Sequence, residues 1–214
     1  MDDEWDAARD EFINDLYNDF ARDVLSGRDD LYREVVEQFT VERLQSYYLD
    51  HPKLAEPALW ALQEARAVVV GHPASALVFG TIAPEVGLKA TLLKPILFGL
   101  VHTDSVAAFI AELIPEQRNN RFRDVLFAIL QEFGGVDLKS FTRVGCSKTL
   151  WQEISDTQER RNAVLHRAEQ VTASDADRAV EIARTVVEDL FPTVIRKLGL
   201  HLHGQVEVCG KRHP

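Results

Sequence analysis

The stretch SKTLWQEISDTQERRNAVLHRAEQ, residues 147–170, reads as one long helix with a single irregularity. At about 100° per residue, Leu150, Ile154, Leu165 and Ala168 fall on one apolar stripe. Arg161 falls inside that stripe, close to the directions of Ile154 and Leu165. A guanidinium there is costly unless it is paired or faces a cleft or a partner. Asn162 and His166 are four residues apart and share a face at the edge of the stripe. One helix flank therefore carries a fixed cation, an amide and a titratable imidazole.

Outward from this helix the pattern stays helical, and alternating strand patterns are nearly absent, so the expected class is all-α. His51-Pro52 opens a helix bearing Leu54, Leu59, Leu62 and Val69, ended by Gly71-His72-Pro73. Pro73 suits the first position of the next helix, Ala74 to about Leu93. That segment is apolar on nearly every face, as a central buried helix would be. A kink is expected at Pro84, with Gly80 relieving the clash one turn earlier. Glu85 and Lys89 have the spacing of a helical ion pair. Thr103-Asp104 should cap a helix to Ile114, and residues 119–133 form another, ended by Gly134-Gly135. Ser174 with Asp177 marks the start of the last helix, whose core stripe runs from Ala176 to Val194 and bends near Pro192. A short polar tail, His201–Pro214, holds a possible strand at Gln205–Cys209.

The chain has 214 residues and a net charge of −10. Residues 1–50 hold 15 acidic and 5 basic side chains, the whole imbalance; residues 51–214 are neutral. Three segments follow: an acidic helical extension over 1–50, a helical bundle over 51–200, and a tail over 201–214. The extension shows helical anchors at Trp5, Phe12, Leu16 and Phe20, then Leu31, Val35, Phe39 and Leu44. It is either a solvated hairpin packed on the bundle or a cover that competes with nucleic acid. No uncharged apolar run reaches about 18 residues, so no membrane span is expected. The acidic start, Met1-Asp2-Asp3-Glu4, is unlike a secretory leader, and two cysteines make no disulfide framework. A reduced cytoplasmic setting is the expectation.

Phosphodiester cleavage needs an acid, a base and positive charge where the phosphorane becomes more negative. His166 can be acid or base near neutral pH, Arg161 can fork onto phosphate oxygens, and Asn162 can orient either. No carboxylate cluster in a metal-binding pattern accompanies them, so no metal or cofactor is expected. His201, His203, Cys209 and His213 match no zinc spacing. Arg160 and Arg167, with Lys139, Arg143 and Lys148 of the 136–148 loop, could form a local basic cleft for RNA. Helix and loop cations are also common on plain solvated surfaces.

Arg161-Asn162-Ala163-Val164-Leu165-His166 resembles the Arg-Asn-x-x-x-His signature of the HEPN superfamily, the higher eukaryotes and prokaryotes nucleotide-binding domains. The Ala74–Lys94 segment, with Glu85 and Lys89, resembles that family's central helix. The resemblance covers about residues 52–200. It implies an up-and-down helical bundle preceded here by the acidic extension, and a homodimer whose motif helices face each other. It also implies a metal-independent endoribonuclease of a prokaryotic toxin–antitoxin or antiviral defence system, with an antitoxin or other defence protein as a possible partner. In that reading His166 is the general acid/base, Arg161 stabilises the phosphorane and Asn162 orients the pair. Attack by the RNA 2′-hydroxyl leaves a 2′,3′-cyclic phosphate. The sequence departs from some members in having Ala168 where they carry a modifiable Tyr. The alternative is a non-catalytic HEPN module that binds nucleotide, RNA or a partner protein.

Overall fold

The computed structural model describes residues 38–100 and 127–210, except 129, 133 and 206. The helices expected before residue 38, most of those expected within 103–133, and His213 lie outside the described residues. The fold is mostly α-helical, with one small two-stranded sheet.

Helix α1 is described over 38–50. It is followed by α2 (Glu56–Val68) and α3 (Pro73–Val86), which continues through π-helical turns at Gly87–Leu93 into α4 (Lys94–Leu100). Helix α5 is described within 127–134. The long helix α6 spans Leu150–Arg167 and α7 spans Ala173–Arg184. Further π-helical turns at Thr185–Leu190 lead into α8 (Phe191–Lys197), which closes at Gly199 in the left-handed region, φ 71°. There Leu200 N–H donates to Ile195 and Gly199 N–H to Arg196, satisfying the last carbonyls. Strand β1 (His201–His203) pairs antiparallel with β2 (Glu207–Cys209). The tail thus holds a hairpin rather than the lone strand expected.

Proline explains both π-helical stretches. Each ends two residues before one: Leu93 before Pro95, Leu190 before Pro192. A proline has no N–H for the carbonyl four residues back, and its ring crowds that carbonyl; a wider turn relieves the crowding. For Pro95 the carbonyl concerned is that of Thr91. The buried Tyr48 hydroxyl donates to it at 2.6 Å. Burial pushes the Tyr48 phenol well above its ordinary range, so it stays a donor. At Pro84, where a kink was expected, the α-helix continues to Val86.

Gly80 also lies at a close helix contact. A Cβ there would stand 2.9 Å from Ala179 Cβ and 3.0 Å from the Ala179 backbone carbon. Only a hydrogen lets α3 and α7 approach that closely. Gly87 does the same against Val186, at 3.0 Å. The pairs 80/179 and 87/186 ascend together, so α3 and α7 run parallel.

The core gathers Leu92, Leu93 and Leu97 with Leu150, Ile154, Ile182, Val186 and Phe191. Leu44 and Tyr48 of α1 belong to it as well. The compact unit accordingly begins at Val41, ten residues before the expected limit at 51. Pro73–Leu93 is long and apolar enough by composition to cross a membrane, even with Glu85 and Lys89. In this fold it is largely buried as the central helix.

Candidate functional site

Helix α6 carries the motif, and its start is firmly set. The Thr149 hydroxyl accepts from Gln152 N–H, while the Gln152 side chain accepts from Thr149 N–H. Beneath this cap lies Glu153, 2% exposed. Arg143 meets it with two bonds, Nε to Oε2 at 2.7 Å and Nη2 to Oε1 at 2.8 Å. Arg178 of α7 adds a third cationic contact at 3.4 Å. The paired arginines, Arg143 first, hold the Glu153 carboxyl below its usual range. Lys148 Nζ stands 2.6 Å from Asp156, which Arg178 also reaches at 3.3 Å. A cleft of about 500 Å³ opens beside this cluster, lined by Cys146, Ser147, Asp177 and Glu181 among others.

Arg143 and Lys148 are therefore tied to acids of α6, near its first turns. From Glu153 to His166 the helix rises roughly 20 Å at 1.5 Å per residue. Arg143 and Lys148 thus stand at the opposite end of α6 from His166. Within the loop Asp137 caps a turn: its Oδ1 accepts from the Lys139 backbone N–H at 3.0 Å and its Oδ2 from Ser140 Oγ.

At the other end of α6 the apolar stripe splits. Leu150 and Ile154 are in the core, while Leu165 is 59% exposed and Ala168 is exposed. Arg161 lies between these regimes, as the wheel placed it, and is half-buried. Its Nη1 meets Glu85 Oε2 of α3 at 2.9 Å, and its Nη2 donates to Asn162 Oδ1 at 3.3 Å. Its Nε is buried and has no hydrogen-bond partner. Glu85 thus pairs with Arg161 across two helices rather than with Lys89 along one. Asn162 and His166 share the solvent face of α6, one turn apart, with the exposed Leu165 next to them round the helix. The two clefts described, beside Glu153 and beside Tyr47, are lined by neither Asn162 nor His166.

The helix stops at Ala168, whose backbone takes the left-handed conformation, φ 51°, ψ 34°. For a residue with a Cβ that costs about 1–2 kcal/mol. The turn sends Glu169 back onto α6. Its Oε2 meets Arg160 Nη1 at 2.7 Å and its Oε1 meets Arg167 Nε at 2.8 Å. Arg167 first, then Arg160, hold the Glu169 carboxyl below its usual range. Arg160 also donates to the Gln170 carbonyl at 2.6 Å and reaches Asp175 at 3.4 Å.

Three partners escaped the sequence reading. Glu153 was findable, because it lies on the wheel next to Thr157 and Leu150, at the edge of the buried face. Glu85 was seen but paired with the wrong cation, because its true partner is on another helix. Glu169 lies beyond the helix end, where a wheel has no power. In the hairpin, register sets His201 opposite Cys209 and His203 opposite Glu207. Among the described residues no group of three or more histidine, cysteine or acidic side chains is gathered to hold a metal ion.

Comparison of the chain with protein-family models, with curated proteins and with solved structures gave no match.

Proposed function

We propose that the protein is a HEPN-type, metal-independent endoribonuclease of a prokaryotic toxin or antiviral defence system. The observation that carries the reading is the held arginine of the motif. Arg161 is fixed by Glu85 on one side and Asn162 on the other, on the helix that also bears the exposed His166. A pinned guanidinium next to an amide and a free-standing imidazole is the equipment that in-line attack by a 2′-hydroxyl requires. His166 moves the proton, and Arg161 stabilises the charge that grows on the phosphorane. Asn162 fixes the arginine's position relative to the imidazole.

Arg161 and His166 point in different directions from α6, and Asn162, Leu165 and His166 are exposed. A second α6, docked through the exposed Leu165, would set one copy's Arg161 opposite the other copy's His166 and enclose the scissile phosphate. The reading includes this homodimer, the HEPN bundle, a cytoplasmic setting and control by a partner protein.

The test is cleavage of end-labelled RNA by the purified protein in EDTA, beside His166→Ala. The side chain is exposed, so the variant should keep its stability within about 0.5 kcal/mol while losing roughly 10²–10⁴ in rate. Products should carry 2′,3′-cyclic phosphate ends. Equal cleavage by the variant would sink the reading. Absence of cleavage by the parent toward any RNA, with a stable protein partner recovered instead, would favour the non-catalytic HEPN module.

A further inference from the structure

We infer that Arg160 and Arg167 form a phosphate-binding fork for an RNA strand, and that Glu169 occupies this fork as an internal stand-in which the strand's phosphate displaces. The inference rests on the ribonuclease reading for the identity of the ligand, and on the geometry for the site itself.

Arg160 and Arg167 are seven residues apart, so they project from the same face of α6, two turns from one another. Both converge on one carboxylate, one guanidinium to each oxygen, at 2.7 and 2.8 Å. Two arginines sharing the two oxygens of one anion is the arrangement that binds a phosphate. Here the anion is the chain's own. It is brought into place by the left-handed turn at Ala168, an unfavourable backbone state for alanine.

The three side chains are unequally held. Arg160 is also fixed by the Gln170 carbonyl and by Asp175, so it stays in place if Glu169 leaves. Among the described residues Arg167 is held only through Glu169, and it is 65% exposed. Glu169 itself is 39% exposed. Contacts between groups as exposed as these are weak in water and readily exchanged. A phosphate, with more charge and more acceptor oxygens than a carboxylate, is the better occupant of the fork.

The fork and His166 share the last turns of α6, His166 lying about 100° round the helix from Arg167. A strand with one phosphate in the fork would run over this end of α6 toward His166. Glu169 meanwhile neutralises the two cations nearest the motif in the free protein. That keeps a chain of net charge −10 from gathering RNA indiscriminately.

The experiment measures binding, not cleavage. A fluorescein-labelled, 2′-O-methyl single-stranded RNA cannot be cut by 2′-hydroxyl attack. Its affinity for the parent, Glu169→Gln and the double variant Glu169→Gln/Arg167→Gln is read by anisotropy at several salt concentrations. Glu169→Gln should bind about three- to tenfold more tightly at low salt, with a salt dependence steeper by about one phosphate contact. The double variant should fall back to the parent or below it, and Glu207→Gln, which removes an exposed acid on β2, should leave the affinity unchanged. Unchanged or weaker binding by Glu169→Gln, a gain that persists in the double variant, or no binding at low salt overturns the inference. A binding gain without cleavage of unmodified RNA by the parent leaves the fork standing and removes only the ribonuclease reading.

Discussion

Replacing Glu153 by Gln tests how the motif helix is anchored. The substitution keeps shape and removes charge. In the native protein Arg143 makes two short bonds to this carboxylate and Arg178 one longer contact. The Glu153 side chain is 3% exposed and that of Arg143 14%. Breaking one partner of a fully buried pair costs about 3–5 kcal/mol, because the other charge is stranded. Arg143 sits on a loop with a path to solvent, and Arg178 retains Asp156, so the lower part of that range applies. We expect a loss of about 2–4 kcal/mol, a large share of a typical roughly 5–15 kcal/mol. At about 2–4 °C per kcal/mol for a chain of this size, the melting temperature should fall by roughly 4–16 °C.

The pH dependence carries its own sign. The Glu153 carboxyl is held below its unfolded value by Arg143 and Arg178. Its stabilising contribution is therefore complete above the ordinary glutamate range and is lost as pH falls through the lower folded value. Urea unfolding followed by circular dichroism should show the full gap between parent and variant at neutral pH. The gap should narrow as the medium becomes strongly acidic. A gap under about 0.5 kcal/mol at neutral pH, or one that does not shrink with acid, would refute the idea that this buried pair anchors α6.

Two further outcomes follow from the packing. Tyr48→Phe leaves the Thr91 carbonyl, which the proline at 95 has already deprived of its helical donor, without a partner in the core. It should cost about 1–3 kcal/mol in chemical unfolding, and a neutral result would show that the carbonyl finds another donor. Gly80→Ala gains up to about 1 kcal/mol of helix propensity but sets a methyl 2.9–3.0 Å from Ala179, backbone included. Overpacking of about 1–3 kcal/mol should win, and Ala179→Gly should rescue only part of it because the backbone contact remains. Full rescue would show that the methyl groups alone were at odds.

Much of this was legible in the residues. Periodicity in 52–70, 73–93, 147–170 and 174–194 fixed the helical class, since a 3.6-residue repeat of apolar positions needs no partner to be recognised. The anomaly of Arg161 was also legible, because a cation inside an apolar stripe is visible on a single helix. The identity of its partner was not: Glu85 is 76 residues away in sequence, on α3, and only the packing of α3 beside α6 brings it across. The same limit applies to the loop cations: that Arg143 and Lys148 meet Glu153 and Asp156 could not be read from the loop. Local spacing decides which face a side chain occupies. Which charge it meets there is decided by how helices far apart in the chain are brought together, and a one-dimensional pattern carries no record of that.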